Sequence, residues 1–233
     1  MNKYKSAVLF FTFYFSLLTC QAQDMNALVM KVKAKLDQVN DYEAEGRMKT
    51  NVAFIKAPIG RVKVFFKKPN KFRLKKDGGI SLLPKGGVSV NMNTVFAMTD
   101  FVAIAAGEAT IDGTKTRIVK LLPNAENSDV VLTTMYIDEA NLLVKKAITT
   151  TKESGTYDVE MSYGKFAQYG LPDKVIFSFN TKDYKLPKGI TMEFDEGEKE
   201  KPEADKLKNR KGKVEINYTN YVVNKGIPDD VFK

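Results

Sequence analysis

The sequence of 233 residues contains no histidine, no tryptophan and a single cysteine. Without histidine, the chain lacks the commonest general base, the commonest metal ligand and the usual Ser–His and Cys–His nucleophile pairs. One cysteine cannot form a thiolate metal site or a redox pair, and no glycine-rich phosphate-binding motif is present. We therefore expect no catalytic residue, no metal site, no cofactor, and a protein that is not an enzyme.

Neighbouring carboxylates are the remaining candidates for acid–base chemistry, at Asp195-Glu196 and at Asp229-Asp230. Both pairs fall in segments with turn or loop composition, where charged side chains are usually solvated. We interpret them as surface charges rather than as a catalytic dyad.

The N-terminus carries the pattern of an export signal. Lys3 and Lys5 precede an uncharged apolar run from Ala7 to Leu18. That run has about a dozen residues, fewer than the roughly 20 that a membrane-spanning helix needs, and small or polar residues follow it. We predict a signal peptide over residues 1–23 and a location in the periplasm of a Gram-negative cell.

Two processing sites compete at the end of this peptide. Cys20-Gln21-Ala22 offers small side chains where a general signal peptidase reads them, and cleavage there leaves Gln23 or Asp24 as the N-terminus. Leu17-Leu18-Thr19-Cys20 resembles a lipobox, which would instead make Cys20 an acylated membrane anchor. Thr19 stands where that motif usually has Gly, Ala or Ser, so the unacylated protein is favoured and the anchored lipoprotein is the alternative.

The remaining residues, 24–233, are predicted to form one domain. Apolar residues recur at helical spacing from Met25 to Asn40 with lysines opposite, and Asp24 can cap this helix. The period then changes to two, which predicts successive strands joined by short turns such as Asp112-Gly113. The predicted strands are Tyr42–Phe54, Arg61–Lys67, Asn70–Lys76, Gly87–Met92, Ile104–Ile111, Lys115–Leu122, Val130–Asp138, Leu142–Thr151, Thr156–Phe166, Asp173–Asn180, Ile190–Asp195 and Lys213–Val223.

About ten or eleven strands with short connections predict a mainly β fold with one large curved antiparallel sheet. Only two segments can cover its apolar face, the N-terminal helix and a short helix at Asn93–Met98. Two elements of this size cannot cover the whole apolar face of such a sheet, so we expect part of that face to line an apolar cavity. The charge-dense segment Glu196–Gly212 is predicted to be a solvated loop.

The chain has 37 Lys and Arg residues against 28 Asp and Glu residues, a net charge of +9. In the segment 61–76, basic residues alternate with Phe65, Phe66 and Phe72. This alternation places the lysines on the solvent-exposed face of paired strands and the aromatic rings on the face that packs against the core. We therefore expect no nucleic-acid partner, and we interpret the surplus charge as attraction to anionic lipid headgroups or to an acidic partner.

The segment Gly60–Leu74 resembles the periplasmic outer-membrane lipoprotein carriers, the LolA-like family of lipoprotein sorting. In that family a helix and a strand precede a strand that begins with Gly, followed by a basic residue, Pro, a turn residue and Phe-Arg. Lys68, Pro69, Phe72 and Arg73 keep this order. Tyr221–Phe232 is similar to the family's closing segment, in which an Asn-x-Gly-Ile-Pro turn precedes a terminal Phe.

The resemblance implies an open half-barrel with a helical lid that encloses acyl chains. It implies a carrier that accepts the acyl chains of lipoproteins or lipids from an inner-membrane release complex and passes them to an outer-membrane acceptor, and we expect it to act as a monomer. Lys68 stands where the family has the arginine that latches the lid, and Arg73 is a second latch candidate. The expected cavity lining is Val62, Val64, Phe66, Phe72, Leu74, Val90, Met92, Phe96, Phe101, Phe177, Phe179, Met192 and Phe194.

A second hypothesis stays open, because relatives with this fold also include envelope-stress sensors and lipid-binding lipoproteins. The chain would then be a non-carrier lipid-binding, sensor or interaction domain whose interior is filled by its own side chains. The sequence departs from the carrier pattern at Lys68, because lysine cannot form the forked hydrogen bonds of arginine.

Overall fold

The computed structural model describes residues 24–51, 60–69, 71–76, 81–82, 100–153, 155–180 and 211–232. The predicted signal peptide, the strands at Gly87–Met92 and Ile190–Asp195, and the lid helix at Asn93–Met98 lie outside these ranges. Within them, the chain forms one α-helix and a single 11-stranded sheet. No helix in the described part of the chain is long and apolar enough to cross a membrane.

All strand pairs of this sheet are antiparallel, as the short turns predict. The spatial order is β4-β3-β2-β1-β11-β10-β9-β8-β7-β6-β5, so the sheet is open, with β4 and β5 as its edges. The strands are β1 Asp41–Asn51, β2 Gly60–Lys67, β3 Lys71–Lys76, β4 Ser81–Leu82, β5 Phe101–Ile111, β6 Thr114–Pro123, β7 Val130–Asp138, β8 Leu143–Thr151, β9 Gly155–Ser162, β10 Lys174–Asn180 and β11 Lys211–Val223. The prediction of a mainly β open sheet is confirmed.

Helix α1 spans Met25–Leu36 and begins as predicted, because the Asp24 carboxylate accepts a hydrogen bond from the Asn26 backbone N–H at 2.9 Å. The prediction that it continues to Asn40 is wrong. After Leu36 the backbone tightens into i to i+3 hydrogen bonds, and the Asn40 N–H donates to the Asn224 side chain at 2.7 Å. This contact turns the chain into β1.

The sheet also differs from the sequence prediction at β5, β9, β11 and β4, and β5 begins at Phe101 rather than at Ile104. β9 ends at Ser162 rather than Phe166, and residues 163–173 leave the sheet to pack across one of its faces. Lys211 and Gly212, predicted as the end of the charged loop, pair with β10 and belong to β11. Strand β4 was not predicted, since two residues are too few to show a period.

Candidate functional site

We call the face of the sheet against which α1 packs the inner face. Two clusters of buried side chains lie on it. The helix-side cluster, beneath α1, comprises Met25, Leu28, Val29, Val32, Leu36, Val119, Leu121, Met135, Ile137, Val144, Ala147, Val159, Met161, Val175, Phe177 and Phe179. The tyrosine-side cluster, mainly on β1, β2, β3 and β11, comprises Val39, Tyr42, Ala44, Met48, Val62, Val64, Phe66, Leu74, Leu171, Ile216 and Tyr221.

The tyrosine-side cluster is covered by residues 163–173, which we call the cover segment. The Phe166 ring packs against the Tyr221 ring with 5.0 Å between their centroids. The buried Tyr221 hydroxyl donates a hydrogen bond to the Pro172 carbonyl oxygen at 2.7 Å. The inner face therefore has a two-part cover, α1 on one side and this segment on the other.

Two glycines allow the closest contacts of this arrangement. Gly170 has a positive φ of 69°, and a Cβ at this position would lie 2.7 Å from Cδ2 of Leu36, where the cover segment meets α1. At Gly212, a Cβ would lie 2.5 Å from the Phe179 ring. The Phe179 ring can therefore lie over the backbone of β11 only because that residue has no side chain.

Where the two clusters meet, buried rings of the helix-side cluster lie beside residues that are only partly covered. Val214 and Tyr218 on β11 pack against both clusters and are half-buried as whole residues, although the Tyr218 hydroxyl itself is buried. Phe177 faces Val214 across the strands, and its ring lies 5.3 Å from that of half-buried Tyr157 and 5.4 Å from that of Phe179. We call these five residues the seam. Sites for apolar ligands are lined mainly by hydrophobic and aromatic side chains, and the seam has this composition.

Buried tyrosine hydroxyls line this region without adding charge. Burial raises the pKa of Tyr42, Tyr218 and Tyr221, which lie close to one another, and of Tyr163 on the helix side. The Tyr163 hydroxyl donates to the Val144 carbonyl oxygen at 2.8 Å. These phenols therefore stay neutral at ordinary pH, and the surface between the clusters keeps an uncharged character.

The residues predicted to line a cavity fall into three groups. Val62, Val64, Phe66, Leu74, Phe177 and Phe179 are buried on the inner face, at 0% to 8% exposure. Phe72 and Phe101 are half-buried at the margins of the tyrosine-side and helix-side clusters, respectively. Val90, Met92, Phe96, Met192 and Phe194 lie outside the described residues. The contact of any of these side chains with a ligand stays a prediction.

The two latch candidates point to different parts of the molecule. Lys68 reaches the C-terminal end of α1, where its Nζ donates to the Asp37 carbonyl oxygen at 2.5 Å. Arg73 lies on the outer face and donates from Nη1 to the Val231 carbonyl oxygen at 2.7 Å, so this contact holds the C-terminal segment. A latch between either residue and the lid stays a prediction, because residues 93–98 are not described.

Sequence reasoning missed most of the seam. Tyr157, Val214 and Tyr218 were not among the predicted lining residues, although Val214, Ile216 and Tyr218 alternate along β11 and could have been chosen by period alone. The prediction that Phe65 shares the core-facing side of the sheet with Phe66 is wrong. Adjacent residues of a strand point to opposite faces, and Phe66 occupies the inner one. Phe65 is nevertheless buried, on the outer face.

Neither a protein-family model nor a curated protein matches this sequence. Solved structures match it in fold. One is a domain assigned to outer membrane lipoprotein sorting from Vibrio parahaemolyticus, with a TM-score of 0.58 and 10% identity over 91% of this chain and 97% of that one. Another is a DUF1329 family protein from Desulfovibrio piger, with a TM-score of 0.54 and 12% identity over 90% and 97% of the two chains.

A LolA superfamily protein from Nitrosomonas europaea also matches, with a TM-score of 0.49 and 10% identity over 88% of this chain and 97% of that one. At such identities, likeness between structures is likeness of fold. The open antiparallel sheet, the helix packed on its inner face and the match to the lipoprotein-sorting domain agree with the resemblance found in the sequence. The chain has a LolA-like fold.

Proposed function

We propose that this protein is a periplasmic carrier that binds the acyl chains of lipoproteins or other lipids and serves outer-membrane lipoprotein sorting. The observation that carries the proposal is the seam, where half-buried Val214 and Tyr218 lie between two filled clusters on the inner face of an open sheet and half-buried Tyr157 packs beside them on the helix-side cluster. An acyl chain needs an apolar surface and few directional polar contacts, which the seam offers.

The free energy available from such a site is sufficient for a carrier. Burial of a methylene group gains about 0.8 kcal/mol, so about ten methylenes supply about 8 kcal/mol, which corresponds to a micromolar Kd before the cost of ordering the chain. The cover segment is hydrogen-bonded to the sheet at Pro172 and Asp173, so a chain would enter by displacing the side chains packed over the seam rather than the whole cover. No covalent step is required, so the proposed protein is not an enzyme.

The remaining parts of the proposal concern its place in the cell. Residues 1–23 act as a signal peptide and are removed, and residues 24–233 act as one domain in the periplasm. The carrier accepts its cargo from an inner-membrane release complex and delivers it to an outer-membrane acceptor, as a monomer. The fold shared with a lipoprotein-sorting domain supports this cargo class.

Mass spectrometry of co-purified lipid tests the proposal. The full chain is expressed with its own N-terminus in a Gram-negative host, the protein is purified from the periplasmic fraction without detergent, and lipids are extracted with organic solvent. We expect about one acyl-bearing molecule per protein, and less in a Val214→Trp variant, whose indole would occupy the seam. The matched control is Val222→Trp on the same strand, because Val222 is 44% exposed on the outer face.

A second candidate function is that of a sensor or interaction domain with a filled interior. The observation that favours it is the depth of packing: Phe66 and Met135 are 1% and 0% exposed, so both clusters are already filled by the protein's own side chains. A folded, monodisperse protein that carries no lipid and gains none from donor vesicles would support this second function and contradict the carrier.

A further inference from the structure

Two arginines face each other on the outer face of the sheet, on the opposite side from the seam. Arg47 on β1 and Arg61 on β2 are Cα partners, and both are exposed. The Cβ atoms of such directly opposed residues lie about 5 Å apart, and like charges in this arrangement destabilise a sheet. Within the described ranges, neither guanidinium has an ion pair or a hydrogen bond to protein.

The nearby carboxylates are already engaged by other groups. Glu43 and Glu45 both bind the Lys63 ammonium group, at 3.1 Å and 2.9 Å. On the other side of Arg47, Glu215 binds the Lys174 ammonium group at 3.1 Å and accepts a hydrogen bond from the side chain of Asn217. Lys63 offsets one of the two carboxylate charges, and neither arginine forms an ion pair with a carboxylate among the described residues.

A pocket opens beside this arginine pair. Its volume is about 320 Å³, and its lining residues are Glu45, Gly46, Arg47, Arg61, Val62, Lys63 and Thr219. The backbone shapes its floor: the register between β1 and β11 shifts next to Gly46, with Thr219 as the extra residue. A Cβ on Gly46 would lie 2.6 Å from the Asn217 carbonyl oxygen, so only glycine fits. The pocket reaches the size of a small-molecule site, about 300 Å³ or more.

We propose that Arg47 and Arg61 bind a phosphate group in this pocket. Each guanidinium presents a planar fork of N–H donors that matches two phosphate oxygens, and two facing forks can share one phosphate. Inorganic phosphate or a phosphate monoester supplies at least three free oxygens and up to two negative charges, whereas the phosphodiester of a lipid headgroup supplies two free oxygens and one charge. Either group would offset the repulsion between the arginines, and the first would do so more fully. The Lys63 ammonium group, whose pKa is raised by its bonds to Glu45 and Glu43, stays charged at the same pocket.

The phosphate could belong to a soluble compound or to a phospholipid headgroup, and the test has one arm for each source. In the first arm, inorganic phosphate is titrated into the protein and binding is measured by calorimetry and by the rise in Tm. In the second arm, binding is measured by co-flotation of the protein with vesicles of phosphatidylglycerol in phosphatidylcholine, in phosphate-free buffer. The variants are Arg47→Gln and Arg61→Gln. The control is Lys120→Gln, which removes one exposed charge far along the sheet, on β6.

We expect each arginine variant to weaken binding by about tenfold or more, while Lys120→Gln stays within about twofold of the unmodified protein. In phosphate-free buffer, Arg47→Gln should melt at the same or a higher temperature, because it relieves a like-charge pair; this separates loss of the site from loss of folding. Binding in the first arm identifies a soluble phosphate, and binding in the second alone identifies a headgroup. No saturable binding in either arm, or an equal loss in Lys120→Gln, overturns the proposal.

Discussion

The Lys68 ammonium group binds both the backbone and the side chain of Asp37, the C-cap residue that follows Leu36 at the end of α1: Nζ lies 2.5 Å from the carbonyl oxygen and 3.6 Å from Oδ1 of the carboxylate. Lys33 binds the same carboxylate at 2.6 Å. The last carbonyl groups of a helix lack partners and carry partial negative charge, so a cation there is favourable. The turn between β2 and β3 thus fastens one end of the helical cover to the sheet.

We predict that Lys68→Ala lowers the free energy of unfolding by about 0.5 to 1 kcal/mol, the usual value of a cation at a helix C-terminus. Amide hydrogen exchange should accelerate in the last turn of α1 and change little at its N-terminus. Lys31→Ala is the control, because Lys31 is exposed on the same helix and has no ion pair among the described residues. Equal exchange rates in the two variants would show that Lys68 does not hold the helix.

The assignment of side chains to the inner and outer faces of the sheet is tested by replacing one valine on each face with aspartate. Val64 is 0% exposed on the inner face, whereas Val222 is 44% exposed on the outer face. Val64→Asp should cost several kcal/mol, comparable with the whole stability of a domain, because it buries an unpaired carboxylate. Val222→Asp should stay within about half a kcal/mol of the unmodified protein. Similar urea midpoints for both variants would mean that the inner face is wrongly assigned.

The buried tyrosines predict loss of stability at alkaline pH. Burial raises the pKa of Tyr42, Tyr163, Tyr218 and Tyr221 above the ordinary value of 10.0. Because the unfolded chain loses these protons first, their contribution is complete below about pH 10 and declines as the pH rises further. Absorbance at alkaline pH should show some tyrosines ionising near pH 10 and the buried ones only together with unfolding. Ionisation of all tyrosines in one step while the fold persists would contradict this.

The C-terminal segment predicts loss of stability at acid pH. Lys67 and Lys71 each lie 2.7 Å from the Asp229 carboxylate and lower its pKa from 3.8 to about 2. A lowered pKa stabilises the folded state above the ordinary value, and this contribution disappears as the pH falls from about 4 to about 2. Asp229→Asn should therefore raise the rate of proteolysis of the segment 224–232 at pH 6, with no further effect at pH 2, while the bonds from Lys67 to the Ile227 carbonyl oxygen and from Arg73 to the Val231 carbonyl oxygen still attach the segment.

The neighbouring substitution Asp230→Asn is the control for this prediction, since Asp230 is exposed and has no ion pair among the described residues. The two variants have the same net charge. If both release the segment equally, its attachment depends on overall charge rather than on the bonds from Lys67 and Lys71.

Local patterns predicted the strands well and their ends less well. The alternation of Val62, Val64 and Phe66 with basic residues gave the correct face and register of β2, because one face of the sheet is buried. Helix α1 was predicted four residues too long, since Val39 continues the helical spacing but is buried as part of the turn into β1. The spacing of apolar residues alone cannot distinguish a residue buried by the helix from one buried by the turn that follows it.

Long-range contacts were beyond sequence reasoning. Phe65 on β2 is 8% exposed on the outer face, where the ammonium group of Lys75 on β3 lies 5.3 Å from the centre of its ring. The C-terminal turn Asp229–Phe232 packs against β3 as well. The cover segment likewise depends on Tyr221 binding the Pro172 carbonyl oxygen, 49 residues away in sequence. Neither contact leaves a local period, so the burial of Phe65 and the position of the cover segment could not be predicted from the sequence.

The most direct test of the central claim is a titration of the purified, delipidated protein with a fluorescent fatty acid. The account predicts saturable binding of about one probe per protein, a loss of affinity of about tenfold or more in Val214→Trp, and unchanged affinity in Val222→Trp, with unchanged circular dichroism in all three. Competition by a diacylated lipoprotein peptide should displace the probe. A folded protein that shows no saturable probe binding, or equal binding in Val214→Trp and Val222→Trp, would contradict acyl-chain binding at the seam.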